Sequence, residues 1–323
     1  MKKISVIVPC YNSVKWLPKC FMSLVEQSIG IDNLELIFVN DASTDDGQTW
    51  DMLKEMEKAY PESIIIIDLP YNRRQGGARN EGLKYASGEY IAFVDSDDWI
   101  EEGLYEKAYL KAKEKDADIV QFNYNYYFDN VGIVCNKNEM KDEYIEIKCA
   151  DDRKNMLIME KFTYGCWNKL YKRSMVINAN TAFAENVIYE DLDFLINIAL
   201  KINNTANVKE ILYIYKNNDN SASHNNREQI KFNDMLAVYK AIDRLKYDCN
   251  VDEAIKYAKI TCIAGAIGIC LMNQDNNQFS LEDNLLNLRS ISKKELVNWE
   301  NNRYIQENMS KDNKDILKWF AKI

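Results

Sequence analysis

The sequence predicts an α/β fold, a mostly parallel central sheet flanked by helices and followed by a helical C-terminal region. Three observations carry this expectation. Short β-branched apolar runs alternate with helical stretches through the first 130 residues, the signature of βαβ units. Polar clusters follow several of the predicted strands at their carboxyl ends, where ligands bind in such sheets. From about Gln229 onward the strand signals give way to helical periodicity.

In chain order, Ile4–Pro9 reads as a buried strand. Ser13 is placed to cap a helix to about Ser28, with Leu17, Phe21, Leu24 and Val25 on one face. Pro18 fits only because it falls near that helix's start. Leu34–Asn40 (LELIFVN) is the second strand. Ser43–Asp46 opens a helix to about Tyr60, its acids favouring the N-terminus. Ile64–Leu69 is the third strand. A loop over Asn72–Gly77 leads into a helix ending near Ala86. Glu89–Asp95 (EYIAFVD) is the fourth strand, Glu101–Lys115 a helix and Asp118–Tyr127 the fifth strand. Residues 129–160 read as polar and irregular, with weak strand signals at Tyr144–Ile147. Glu190–Leu200 reads as a helix and Lys209–Tyr215 as a strand. The rest is helical over about Gln229–Lys246, Val251–Met272, Leu281–Leu288 and Lys311–Lys322.

Composition narrows the function. Of 323 residues 47% are hydrophobic and 28% charged, the balance of a folded protein rather than a disordered chain. Lys+Arg number 41 against 50 Asp+Glu, a formal charge of −9, which disfavours general nucleic-acid binding. The single histidine, His224, removes most histidine-based metal and nucleophile devices. The eight cysteines form no C-x-x-C pair; they read as reduced thiols packed in a core, and hence as a sign of a reducing compartment. The apolar start Ile4–Val8 is too short for a signal peptide before Pro9 stops it. The apolar run Ile260–Met272 is shorter than a bilayer span. The expectation is a cytoplasmic protein.

The polar strand ends hold the chemistry. Asp95-Ser96-Asp97-Asp98 follows the apolar strand Tyr90–Val94. Carboxylates crowded at a buried strand end call for a cation or a donor; the alternative is a loop capping the next helix. Asp41 ends the second strand, where a carboxylate can accept from an imide N–H such as that of uracil; its alternative is a helix cap. Tyr11 offers a ring for stacking on a base. Arg73, Arg74 and Arg79 can hold a diphosphate or pair with the acids. Gly76-Gly77 permits close backbone approach. Glu190-Asp191 opens a helix, either as dipole-favoured acids or as a general base for a hydroxyl. A P-loop lysine and a G-x-G-x-x-G are both missing from the sequence.

Together ISVIVPCYN (4–12), LELIFVNDASTDD (34–46), GGARNEGL (76–83) and GEYIAFVDSDDWI (88–100) resemble the family 2 glycosyltransferases. YGCWNKLYKRSMV (164–176), YEDLDF (189–194) and NSAS (220–223) extend the match more loosely. The resemblance implies a GT-A type fold with a Rossmann-like sheet. It implies inverting transfer of a hexosyl or N-acetylhexosaminyl group from a nucleotide-diphosphate donor, UDP by the fit of Asp41 and Tyr11 to uracil. Pro9, Tyr11 and Asp41 would contact the base, and Asn72 and Arg79 the nucleotide and phosphates. Asp95, Ser96 and Asp97 form the D-x-D element, with Asp97 and Asp95 on a divalent metal (Mn2+ or Mg2+) and His224 near it. Asp191 would be the catalytic base, supported by Glu190. Trp167 and Lys169 fall on the sugar or acceptor side. Arg74 stands where the family often has glycine.

The change to helical periodicity near 220–230 divides the chain into 1–225, the catalytic domain by the resemblance, and a helical region, 226–323, for packing, dimerisation or acceptor docking. Gly265 and Gly268 would permit close helix packing within or between chains. The implied acceptor is a hydroxyl of a glycan, a lipid-linked molecule or a protein. A lipid-linked acceptor would bring the protein to the inner membrane face. The rivals are a nucleotidyltransferase, which leaves Glu190-Asp191 idle, and a non-catalytic partner of the same fold.

Overall fold

The first apolar run forms the central strand of the sheet. In the computed structural model, which describes residues 2–137, 139–217, 228–273 and 279–322, β1 (Ile4–Cys10) pairs in parallel with β2 (Leu34–Asn40) and β4 (Tyr90–Phe93). β3 (Ile64–Asp68) extends β2 in parallel. β9 (Lys169–Lys172) lies antiparallel between β4 and β6 (Ile119–Phe128), and β10 (Asn204–Lys216) runs parallel to β6. The order is β3-β2-β1-β4-β9-β6-β10-β5, β5 being the two-residue Trp99–Ile100. Two short strands, β7 (Gly132–Val134) and β8 (Tyr144–Glu146), add to β6 and β10. This mixed, mostly parallel sheet is the expected class.

Helices cover both faces because successive side chains of a strand alternate. Ile4, Val6, Val8 and Cys10 join Leu36, Phe38, Val120 and Phe122 in a core beneath α1 (Leu17–Val25) and α4 (Leu104–Lys115). On the other face α3 (Arg74–Tyr85) packs on β1 and β2. A Cβ on Gly82 would sit 2.5 Å from Ile7 Cγ2, so glycine sets how close that helix lies.

Several boundaries move from their expected places. α1 starts at Leu17, which puts Pro18 in its first turn. α2 (Gln48–Ala59) starts late because Ser43 and Thr44 are drawn into the loop. The Asn12 side chain accepts from the Thr44 N–H at 2.7 Å, and Ser43 Oγ donates to Asn40 at 2.6 Å. Gly76-Gly77, expected in a loop, lies within α3. A Cβ on Gly77 would fall 2.3 Å from Arg73 Cβ, so the close approach there is to Arg73. β9 and α6 (Arg173–Ala179) were not anticipated in a stretch read only as a motif.

The chain forms two compact units, which correct the expected single cut near 225. The first comprises Met1–Ile147, Gly165–Asn186 and Lys201–Ser221 and holds the sheet. The second comprises Lys148–Tyr164, Val187–Leu200 and Ala222–Ile323. Residues 148–164 and 187–200, expected with the sheet, therefore group with the helical region. They supply α5 (Ala150–Leu157) and α7 (Glu190–Ala199).

At the centre of the second unit stands α9 (Asp252–Met272). Against it pack α5, α8 (Glu228–Asp243), α10 (Leu281–Ser292), α11 (Arg303–Asn308) and α12 (Lys311–Phe320). The apolar run was expected to be too short for a bilayer. The helix, at 21 residues, is long and apolar enough to cross one. Its surroundings account for that composition: 61% of its most apolar window is buried within the protein. Gly265 faces Met235 of α8, with the position of a Cβ 3.3 Å from Met235 Cε, so its close packing is within the chain.

Candidate active site

The acidic turn after β4 is held from beneath. Asp98 is buried; its Oδ2 accepts from the Tyr213 hydroxyl at 2.5 Å and its Oδ1 from the Lys216 N–H at 2.7 Å. Burial first, then the charges of Asp97 and Asp95, push the Asp98 carboxyl well above the usual range. The Asp98 N–H closes the turn on the Asp95 carbonyl at 3.0 Å, and Ser96 Oγ meets Ser13 Oγ at 2.8 Å. Lys216 in turn puts its ammonium 3.0 Å from Asp129 and 4.2 Å from the centre of the Trp16 ring. Asp98 is thus a pedestal, and Asp95 and Asp97 stand half-buried above it.

Arg79 pairs with the acids, one of the two roles offered for it. Its side chain is buried to 2% exposure and its Nη2 lies 2.6 Å from Asp95 Oδ1. Such a pair, once buried, is costly to break from one side. Arg79→Met should therefore lower unfolding stability by about 3–5 kcal/mol, read by urea denaturation. A loss below about 1 kcal/mol would mean the pair behaves as a solvated one. Arg73 serves Glu81 at 3.1 Å and also Glu185. The Arg74 N–H donates to Asn72 Oδ1 at 3.1 Å.

Asp41 does not cap α2. It is buried at the end of β2, where its Oδ1 accepts from the Arg73 N–H at 2.7 Å and its carbonyl from Asn72 Nδ2 at 3.1 Å. Burial, partly offset by the Arg73 and Arg74 N–H groups, raises its carboxyl to about 6. Tyr11 stands beside this strand end with 47% of its surface exposed, a ring free to stack. Pro9 is buried within β1, two residues before it.

Trp167 and Lys169 separate in role. The Lys169 side chain, expected at the sugar or acceptor, is fully buried. Its ammonium donates to the Gly165 carbonyl at 2.7 Å and Asn168 Oδ1 at 2.9 Å, so it ties the loop that carries Trp167. Trp167 itself is half-buried. His224 and the NSAS loop (220–223) lie outside the described residues.

Asp41, Asn72, Arg79, Asp95, Ser96 and Asp97 all belong to the first unit, on or beside the strand ends of one sheet. Glu190 and Asp191 belong to the second unit, in the first turn of α7. There Glu190 is buried and Asp191 half-buried. Asp193 follows in the same turn. Burial first, and the neighbouring Asp191, push its carboxyl up to about 7. Its Oδ1 is buried without a hydrogen-bond partner among the described residues.

The sequence reading missed the support of the acidic turn. Tyr213 and Lys216 lie more than a hundred residues from Asp98, and only strand pairing brings them there. The one signal was Asp98 itself, a third acid where two would serve.

The residues present fit a divalent cation. Among the described residues no three His, Cys, Asp or Glu side chains converge as a ready-made metal group. The protein would supply one or two carboxylates, as hard cations shared with a diphosphate require. The same acids also help push up the Cys20 thiol and the Tyr215 hydroxyl, after burial. A cation is what that negative field would accept. Among the described residues the cysteines are free. Cys10, Cys20, Cys166, Cys262 and Cys270 are buried as expected, whereas Cys135 and Cys149 are exposed.

Comparison with known proteins places these observations in a family. The model of glycosyl transferase family 2 matches residues 5–178. EpsH of Bacillus subtilis (strain 168), named as a glycosyltransferase, is 29% identical over 281 residues, covering 84% of this chain and 77% of that protein. Among solved structures, S. aureus TarS 1–349 in complex with UDP-GlcNAc superposes with a TM-score of 0.67 at 19% identity. That superposition covers 99% of this chain and 92% of TarS. The mannosyltransferase PcManGT of Pyrobaculum calidifontis, in complex with GDP-Man and Mn2+, superposes with a TM-score of 0.55 at 16% identity, over 99% and 86% of the two chains. Both superpositions show a shared GT-A fold.

Proposed function

Since the chain belongs to glycosyl transferase family 2 and is a glycosyltransferase, we propose that it moves a hexosyl or N-acetylhexosaminyl group from a UDP-sugar, with inversion, to a hydroxyl of a glycan, lipid-linked or protein acceptor. One observation carries the reading. Three neighbouring parallel strands of one sheet end in Tyr11, Asp41 and the Asp95–Asp98 turn, at the edge where such sheets bind ligands. Family membership leaves the nucleotidyltransferase alternative without support.

The donor's uracil stacks on Tyr11 and donates its imide N–H to the Asp41 carboxylate. Asp95, held by Arg79, and Asp97 face the ribose and diphosphate. A divalent ion there, Mn2+ or Mg2+, would offset charge on the departing diphosphate. That proposal draws on the Mn2+ and GDP-Man in the PcManGT complex. Asp191 takes the proton of the acceptor hydroxyl, and Glu190 orients it. Single displacement needs no covalent intermediate, in keeping with a chain that has one histidine.

Turnover of a panel of sugar nucleotides, with and without Mn2+, tests the reading. A UDP-sugar consumed in preference to GDP-, CMP- and ADP-sugars supports it. Equal turnover of all of them, or of none, sinks it. The cytoplasm, at the inner membrane face when the acceptor is lipid-linked, is the proposed location; the free thiols support a reducing compartment.

Asp41 predicts a pH dependence. With N–H donors from Arg73 and Arg74 already on the carboxyl, a proton there competes with the imide N–H for the remaining acceptor capacity. UDP affinity should therefore rise as pH rises through about 6, and Asp41→Asn should flatten the profile in titration calorimetry. The stability sign is opposite. The folded carboxyl binds its proton more tightly than the unfolded one. Its contribution is fully present below the unfolded value near 3.8 and is lost as pH rises through about 6.

A further inference from the structure

We propose that a strip of aromatic rings running outward from the acidic turn along β6 and β10 is the platform on which the acceptor lies, and that the acceptor is a chain of pyranose rings. The inference rests on the transferase reading and adds the acceptor's chemistry and its location. Trp167 lies nearly parallel to Tyr213 (4.7 Å between ring centres, 28°) and Tyr215 (5.2 Å, 26°), and edge-on to Tyr124 (4.6 Å, 85°). From Tyr124 the strip continues to Tyr126 at 5.4 Å and then to Phe128 at 6.4 Å. Alternate residues of a strand share a face, and Tyr213 and Tyr215 stand opposite Tyr124 and Tyr126 in the register of the pair. The strip is therefore two strands wide at its inner end and one beyond it.

Its inner end is anchored in the site. Tyr213 is buried and donates its hydroxyl to Asp98 at 2.5 Å. The other five rings are half-buried, so each leaves part of its surface in solvent. Tyr124, Trp167 and Tyr215 pack against the core, and the part of each ring left in solvent adjoins the acidic turn, where an acceptor must lie to be reached by the donor sugar. The strip is also held in shape before any ligand arrives. Gly165 has a φ of 92°, and a Cβ there would stand 3.0 Å from the Trp167 indole. Lys169 ties the same loop through the Gly165 carbonyl. Such preorganisation lowers the ordering cost of binding.

The composition selects the occupant. None of the six rings' residues carries a charge, which disfavours a polyanion recognised by ion pairing. Four are tyrosines, which set hydroxyls at the ring edges; the Tyr124 and Tyr126 hydroxyls lie 3.3 Å apart. A pyranose matches this: one face of C–H groups to lie on a ring, and a rim of hydroxyls to bond and to face water. The outer rings, Tyr126 and Phe128, then serve sugars further from the reacting hydroxyl, so affinity grows with acceptor length.

The test is a glycan array of one to six pyranose rings, probed with the full chain in the presence of UDP and Mn2+. The wild type should retain at least one glycan, with retention rising from one ring to three. Tyr126→Ala with Phe128→Ala should lower that retention about tenfold or more and remove its dependence on length. Tyr126→Phe, which keeps the ring, should hold retention within about twofold. The single alanine variants give the same reading if the double variant fails to fold. No glycan retained by the wild type, retention indifferent to ring number, or variants equal to the wild type would each overturn the platform. Failure of the transferase reading shows elsewhere, as a wild type that turns over none of the sugar nucleotides.

Discussion

Asp191→Asn is expected to lower the rate of sugar transfer by about 10²–10⁴, the range a positioned general base supplies, while donor affinity stays within about twofold of the wild type. The exchange keeps the size of the side chain and removes only its ability to take a proton. Asp191 lies half-buried in the first turn of α7, beside buried Glu190. Transfer rates and donor binding by calorimetry, measured side by side, separate the two effects. Transfer at the normal rate would remove Asp191 from the mechanism. Loss of donor binding along with transfer would make it a binding residue instead.

Asp97→Ala is expected to abolish the Mn2+ dependence of donor binding. In the proposed mechanism Asp97 is the half-buried acid of this turn that meets the cation, beside Asp95 held by Arg79 and above buried Asp98. The wild type should bind its sugar nucleotide more tightly as Mn2+ is added. The variant should show no such gain, and its transfer should fall on the order of a hundredfold or more, the scale of several kcal/mol of lost charge stabilisation. A variant that responds to Mn2+ as the wild type does would place the cation elsewhere.

The parallel half of the sheet was legible because its strands are buried on both faces and so read as unbroken apolar runs. β1 and β2 differ from expectation by a residue at most. Motif residues at strand ends were legible for the same reason, since a polar cluster stands out sharply against the apolar run before it. Lys169 was placed near the sugar or acceptor by the resemblance alone; its burial was not legible because it depends on a carbonyl and an amide presented by its own loop. β9, antiparallel and four residues long, offered too short a period to detect. The grouping of residues 148–164 and 187–200 with the later helices rests on contacts between distant segments, which no local pattern encodes. The aromatic strip was out of reach likewise: Tyr124 and Tyr126, Trp167, and Tyr213 and Tyr215 are separate stretches until β6 and β10 pair.

The clasp on Asp98 has a consequence for synthesis. The acidic turn is complete by residue 98, but the hydroxyl and the amide that secure it arrive 115 and 118 positions later. A nascent chain emerging from the ribosome can already pair Asp95 with Arg79, but it carries Asp98 for more than a hundred codons before that carboxylate meets its partners. Contacts so remote in sequence close slowly, because loop entropy must be met first. Premature termination ahead of Tyr213 would yield a polypeptide that has every sugar-nucleotide motif of its first hundred residues and a buried-type acid, Asp98, without the two groups that hold it.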